Sequence, residues 1–202
     1  MQAAARREQL LKVARDLFAE RGYRGTSVRD IARAVGVNEG LLYHYFANKS
    51  ELFAAVLAQY APFETGAAVL ESAENRAVGE VLGGLGRRIL AQMREQRLFV
   101  ATILSEGSTD PVLGRILGEL LRSTRARIAE FLARRQIRGE VDRRVDVEAA
   151  AQAFVGGLLF ETFSTILSPE PASHAKSDPE IVDHLVAVLL AGISAAPRDG
   201  SA

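Results

Sequence analysis

The stretch VGVNEGLLYHYFANKSEL, Val35 to Leu52, decides the reading of this chain. It sets Tyr43, His44, Tyr45 and Phe46 side by side, although only 6% of the 202 residues are aromatic and none is Trp. Two short apolar-periodic segments, Val28–Val35 and Glu39–Phe46, meet across Gly36-Val37-Asn38. That is the spacing of a helix-turn-helix, in which a glycine permits the sharp turn. Advancing the second helix by 100° per residue puts Leu42 and Phe46 on one side, where they can pack on Ile31, Val35 and the preceding helix. Gly40 and His44 fall on the opposite side, flanked by Tyr43 on one edge and by Leu41 and Tyr45 on the other. Phe46 is therefore expected in the core, and the other rings border an outward surface with a bare glycine at its centre. Such a face can sit deep in a groove, with tyrosine hydroxyls and an imidazole along its walls.

Outward from that stretch, helical period dominates and no alternating strand pattern appears. Leu10, Leu11, Ala14, Leu17 and Phe18 mark a first amphipathic helix ending at Arg21-Gly22. Ser27-Val-Arg-Asp30 and Asn48-Lys-Ser-Glu51 have the form of capping boxes opening the second and fourth helices, and Asn38 caps the third. Pro62 interrupts or kinks the fourth. Further helices are expected from Asn75 to about Gln96, over Leu98–Glu106, from Asp110-Pro111 to about Gln136, over Val147–Leu167 after an Asp146 cap, and from Asp178-Pro179 to about Ala195. Ser168–His174 reads as a loop and residues 197–202 as a disordered tail. The expected fold is all-α with about nine helices: a helix-turn-helix domain over 1–52 and a helical regulatory and dimerisation domain over 53–196.

Composition bounds the function. With 48% hydrophobic and 25% charged residues, the chain can bury a sizeable core. Absence of cysteine fits a reducing cytoplasm. The N-terminus has no apolar signal region, and no apolar run approaches a membrane span. The net charge is zero, but residues 1–50 hold nine Lys/Arg against five Asp/Glu, an excess of four positive charges balanced by an acidic remainder. A basic head points to a polyanionic partner, although scattered surface charge would give the same count. His44, His174 and His184 have no metal-ligand spacing, so no metal or cofactor is expected. No nucleophile motif points to an enzyme, and Gly83-Gly84-Leu85-Gly86 lacks the Lys-Ser/Thr of a phosphate loop.

Donors for DNA gather near the turn: Thr26 and Ser27 at the start of the second helix, Arg29 within it, and Lys49 at the start of the fourth. Helix N-termini bind anions, and an arginine fork suits a guanine edge. For Arg29 the alternative is a solvated surface charge; for Asn38, capping alone; for Tyr43, His44 and Tyr45, an aromatic cluster packed on the next helix.

Residues 7–57 closely resemble the DNA-binding domain of TetR-family transcriptional regulators. The resemblance is carried by LFAERGY, the Thr26-Ser27 start, Asp30-Ile31-Ala32, the Gly36-Val37 turn, and Leu42–Phe46 followed by Lys49. It implies DNA contact at Ser27, Arg29, Asn38, Glu39, Gly40, Tyr43, His44 and Lys49, with Tyr43 and Lys49 on phosphates. Leu41 departs from the Thr or Ser often found there, and a thymine methyl suits it. Glu39 can accept from cytosine N4 or simply balance the helix dipole.

The last two helices hold Gly156, Gly157, Leu158, Leu159, Phe160 and Phe163, then Ile181, Leu185, Val188 and Leu189. They are apolar on more than one side, which favours a dimer over a purely internal core. In TetR-like proteins these helices form a four-helix dimer interface, and a dimer supplies two recognition helices for a palindromic operator. The resemblance also implies a small, mostly apolar effector in the core of residues 60–165, with Gln59, Phe63, Met93, Phe99, Phe154 and Leu158 as candidate walls. The reading is a cytoplasmic homodimeric repressor released by that effector. Two alternatives stand beside it: a constitutive DNA-binding protein without effector, and a helical interaction module that no longer binds DNA.

Overall fold

A computed structural model describes residues 2–60, 70, 73, 75–168 and 177–193. Its helices in chain order are α1 (Gln2–Gly25), α2 (Val28–Val35), α3 (Glu39–Tyr45), α4 (Lys49–Tyr60), α5 (Val78–Glu95), α6 (Arg97–Gly107), α7 (Pro111–Ile137), α8 (Val147–Leu167) and α9 (Asp178–Ile193). The expected kink at Pro62, the candidate Phe63, most of the 168–174 loop, the last turn beyond Ile193 and the tail lie outside the described residues. The chain divides into two compact units, residues 1–64 with 95–120, and 65–94 with 121–202.

In the first unit the apolar face of α4 belongs to the core. Leu10, Leu11, Ala14 and Phe18 of α1 are fully buried with Ile31, Leu42, Leu52, Phe53 and Val56, and Phe99 and Ile103 of α6 join them. Phe53 is central: its ring meets Phe18 edge-on at 5.2 Å and Tyr23 at 5.1 Å, with Phe99 at 6.3 Å. Each buried ring contributes about 1.5–3 kcal/mol by leaving water, and edge contacts add about 0.5–1.5 kcal/mol per pair.

Local signals set the corners. Gly22 breaks the α1 helix at φ 75°, ψ 169°, and the chain resumes one turn through Gly25. Ser27 and Asp30 form a reciprocal capping box at the start of α2. Gly36 closes α2 in the left-handed region, φ 76°, where a side chain would be strained, and the Val37 N–H donates to Ala32 O at 2.9 Å. The Asn38 side chain then accepts from the Leu41 N–H at 2.7 Å. At α4, Asn48 accepts from the Glu51 N–H at 2.8 Å, while Glu51 reaches the N–H of Ala47, one residue earlier than a strict box requires.

In the second unit, the glycine-rich segment of α5 is a packing surface. A Cβ at Gly79 would lie 2.8 Å from Leu190, and one at Gly86 would lie 2.8 Å from Val182 and 3.4 Å from Phe154. The two glycines, two turns apart on α5, thus let α9 lie antiparallel against its backbone. Asp146 caps α8 by accepting from the N–H groups of Glu148 and Ala149. α9 starts at Asp178 as the sequence indicates, with Ser177 just before it, whose N–H and hydroxyl donate to Glu180 at 2.8 and 2.7 Å. Asp178 lies inside the helix and pairs with Arg94. Arg135 is buried, forks onto Glu140, and donates to the carbonyls of Ala73 and Arg76, tying the approach to α5 onto the end of α7.

Among the described residues α8 is one helix long and apolar enough to cross a membrane, where the sequence reading found no such run. Its polar Glu148, Gln152 and Glu161 interrupt the run in sequence. Ala150, Ala151, Phe154, Val155, Leu158 and Thr162 form its buried face.

Candidate nucleic-acid interface

The exposed side of α3 has the composition expected of it. Leu42 and Phe46 are buried, whereas Gly40, Tyr43 and His44 are exposed, with Tyr43 at 50%. Leu41 and Tyr45 are half-buried at the edge, and the His44 and Tyr45 rings meet edge-on at 5.4 Å. Because Asn38 caps the helix with its side chain, its Oδ1 sits 3.3 Å from where a Cβ on Gly40 would lie. The bare position therefore leaves room for the cap and keeps the outward face free of a side chain.

Arg29 and Glu39, expected as separate base readers, are brought together. Their side chains pair at 3.2 Å across the α2–α3 turn, both largely in solvent. Ser27 is exposed at the head of α2, where its hydroxyl and backbone N–H both donate to Asp30. The Ser27 side chain, and then its backbone N–H, hold the Asp30 carboxyl below its usual range.

Thr26 is a correction. It is 1% exposed, and its hydroxyl donates to the carbonyls of Gly22 at 2.8 Å and Leu17 at 3.1 Å. Its side chain serves the carbonyls freed at the end of α1 and does not face outward. Lys49 is half-buried: its ammonium donates to Tyr23 O at 2.7 Å and Thr26 O at 3.0 Å and lies 4.1 Å from the Tyr23 ring centroid. Burial pushes the lysine pKa down, opposed by the nearby carboxylates of Asp110 and Glu106. An ammonium has three N–H groups, and these two carbonyls take two of them.

Sequence reasoning missed the groups behind this corner. Glu106 accepts from the N–H groups of Tyr23 at 2.6 Å and Arg24 at 3.3 Å, and Arg24 pairs with Asp110 at 3.2 Å. Gly22 was legible as a helix end, but nothing local in the sequence announces a partner more than eighty residues away.

The other candidates fall as follows. Met93, Phe154 and Leu158 are buried in the second unit, where Thr162 donates to Met93 Sδ at 2.8 Å. Phe99 packs in the core of the first unit, and Gln59 is exposed. On α8 and α9, Gly156, Phe160, Phe163 and Val188 are exposed, Phe160 at 73% and Val188 at 74%. Leu159, Ile181 and Leu189 are half-buried. Gly157 and Leu185 face each other: a Cβ on Gly157 would come within 2.8 Å of the Leu185 side chain, so this pair serves the α8–α9 contact.

A short helix, a glycine-closed turn and a capped second helix with an exposed Gly-Tyr-His face define a helix-turn-helix DNA-binding regulator. Residues 10–56 match the family described as bacterial regulatory proteins, tetR family, and residues 80–189 match the tetracyclin repressor-like C-terminal domain. The second match alone spans more than half of the chain, and the chain belongs to the TetR family. The HTH-type transcriptional repressor KstR2 of Mycolicibacterium smegmatis is 44% identical over 59 residues, which is 29% of this chain and 29% of KstR2. The likeness to this curated relative thus covers less than a third of its length. Over nearly the whole chain the fold resembles Salmonella enterica GusR, with TM-score 0.72, 25% identity, and 92% and 93% of the two chains covered. It also resembles Bacillus subtilis FadR in complex with stearoyl-CoA, with TM-score 0.74, 20% identity, and 92% and 98% covered.

Proposed function

We propose that this regulator is a homodimeric repressor that binds a palindromic operator through α3 and is released by a small, mostly apolar effector. The observation that carries the DNA-reading half is the exposed Gly40-Tyr43-His44 face of α3, held from behind by buried Leu42 and Phe46. Tyr43 and the remaining N–H of Lys49 serve phosphates, and Ser27 does so from the head of α2. Arg29 and Leu41 read base edges, with Glu39 beside Arg29; Asn38 shapes the helix start, and His44 lines the groove wall. Two copies joined through the exposed apolar face of α8 and α9 present two such helices, and operator symmetry follows protein symmetry.

Similarity to KstR2, a repressor, supports the sign of regulation. The fold shared with FadR, whose structure holds stearoyl-CoA, supports an apolar effector. We place the effector in the second unit around Met93, Phe154 and Leu158, with Thr162 as its polar neighbour. Release requires that the effector bind the geometry that does not fit DNA more tightly than the one that does. The constitutive alternative keeps one observation in its favour: Phe154 and Leu158 are fully buried against protein, as in a filled core.

Fluorescence anisotropy on a duplex from upstream of the protein's own gene, against scrambled DNA, tests the reading. Tight, sequence-preferring binding by two protomers, weakened by long-chain acyl-CoA or a comparable apolar probe, is the expected result. Equal binding to both duplexes that vanishes with salt would mean phosphate attraction only. Sequence-specific binding that no apolar probe weakens or thermally shifts would favour the constitutive form.

A further inference from the structure

We infer that Glu106, far outside the matched DNA-binding segment, is a positioning residue for DNA reading: its carboxylate fills the backbone nest at Gly22 and fixes the corner that presents Ser27 and Lys49. The inference rests on the DNA-binding reading above and adds to it the group that holds the reader in shape.

The geometry starts with Gly22. Its positive φ turns the N–H groups of Tyr23 and Arg24 outward from α1, where no helical carbonyl can accept them. Successive N–H groups after a left-handed residue form an anion-binding concavity. Here the anion is internal: Glu106 Oε2 takes the Tyr23 N–H at 2.6 Å and the Arg24 N–H at 3.3 Å. The carboxylate lies so close that a Cβ on Gly22 would sit 2.0 Å from Glu106 Oε1. The positive φ requires glycine at this position, and a Cβ there would push the carboxylate aside.

Tyr23 passes this anchorage on to α4. Its N–H is held by Glu106, its carbonyl by Lys49 at 2.7 Å, and its hydroxyl lies 3.2 Å from Ser50 Oγ. Its ring meets both the Lys49 ammonium and Phe53. The next carbonyl that Lys49 holds belongs to Thr26, immediately before the Ser27 cap. Displacing the Tyr23 peptide thus moves Lys49 and the start of α2 together.

Glu106 is itself rigidly mounted. The Gly107 carbonyl lies 2.9 Å from where a Cβ on Gly114 would be, so the end of α6 and the start of α7 meet backbone to backbone. From the same corner Asp110 caps α7 and pairs with Arg24, whose guanidinium also donates to Thr109 O at 3.1 Å. Two carboxylates on one stiff corner grip two consecutive residues of α1.

The test is the ratio of specific to non-specific DNA affinity, which is independent of the fraction of protein folded. The full-length wild-type protein first selects a duplex from a random-sequence pool. Wild type, Glu106→Gln and Asp110→Asn are then titrated onto that duplex and onto a scrambled one across a salt series. The expected result is a five- to twentyfold fall in the ratio for Glu106→Gln, with a smaller loss on the scrambled duplex, because displaced phosphate contacts at Ser27 and Lys49 weaken both complexes while the lost register of α3 weakens only the specific one. Asp110→Asn, which keeps an oxygen to cap α7, is expected to move the ratio the same way by less, and it decides the matter if Glu106→Gln is insoluble. A ratio within twofold of wild type, or an equal loss on both duplexes, overturns the inference while leaving the regulator intact. A wild-type protein that selects no sequence overturns the DNA-binding reading and this inference with it.

Discussion

Thr26 and Ser27 are adjacent, and each has a hydroxyl, yet they do different work. The Thr26 hydroxyl is buried and donates to two carbonyls at the end of α1. Thr26→Val keeps the shape but strands those acceptors, so a loss of about 1–3 kcal/mol in a denaturant titration is expected. Ser27 is exposed and shares a capping box with Asp30, whose carboxyl is held below its usual range by that side chain. Asp142 behaves similarly: the Arg144 guanidinium and backbone N–H bring its pKa down to about 2. Both carboxylates bind fewer protons in the folded chain than in the unfolded one. They therefore favour the fold fully above about pH 4, and the contribution disappears as pH falls through their folded pKa values. An NMR titration of the side-chain carboxyl resonances should place the Asp142 midpoint at about 2 and that of Asp30 below its ordinary value of 3.8.

At the scale of the element, α5 shows how glycine can be structural inside a helix. Gly86 places its backbone against Val182 and Phe154. Gly86→Ala forces those side chains to shift, and a cost of about 1–3 kcal/mol in thermal melts is expected, with DNA affinity unchanged at temperatures where the variant is folded. The helices themselves were legible because their signals are local: the capping residues Ser27, Asn38, Asn48 and Asp146, the glycine stop at Gly36, and the three- and four-residue spacing of Leu10 to Phe18. The outward face of α3 was legible for the same reason, since 100° per residue is enough to separate Leu42 from Gly40. Thr26 was misplaced because burial depends on what packs over a residue, and α2 and α4 close over that corner only in three dimensions. Glu106 was invisible because its role is set by backbone amides across the fold, which carry no side-chain signature.

At the scale of the molecule, the apolar face of Phe160, Phe163, Leu167 and Val188 is more than an isolated chain gains by exposing. If two copies meet there, the protein elutes as a species of twice its 21.8 kDa mass. Phe160→Asp with Val188→Asp should halve that mass in light scattering and reduce operator affinity at least tenfold, because a single recognition helix loses the second half-site. A double variant that remains dimeric would place the interface elsewhere.

The ion pair between Arg29 and Glu39 also bears on how this protein responds to its ionic surroundings. A cation on a DNA-binding surface normally strengthens binding by expelling sodium or potassium condensed on the phosphates, and this makes affinity fall steeply with salt. Arg29 brings its own tethered anion, whose negative charge opposes the approach of the polyanion until the guanidinium changes partners. The cost of that exchange weakens as salt screens it, partly offsetting the ordinary loss of binding. Removing the anion by Glu39→Gln should therefore make the dependence of log K on log salt steeper, by up to about 0.9 in slope for one charge. The wild-type protein would hold its operator over a wider range of ionic strength than a bare count of its basic residues implies.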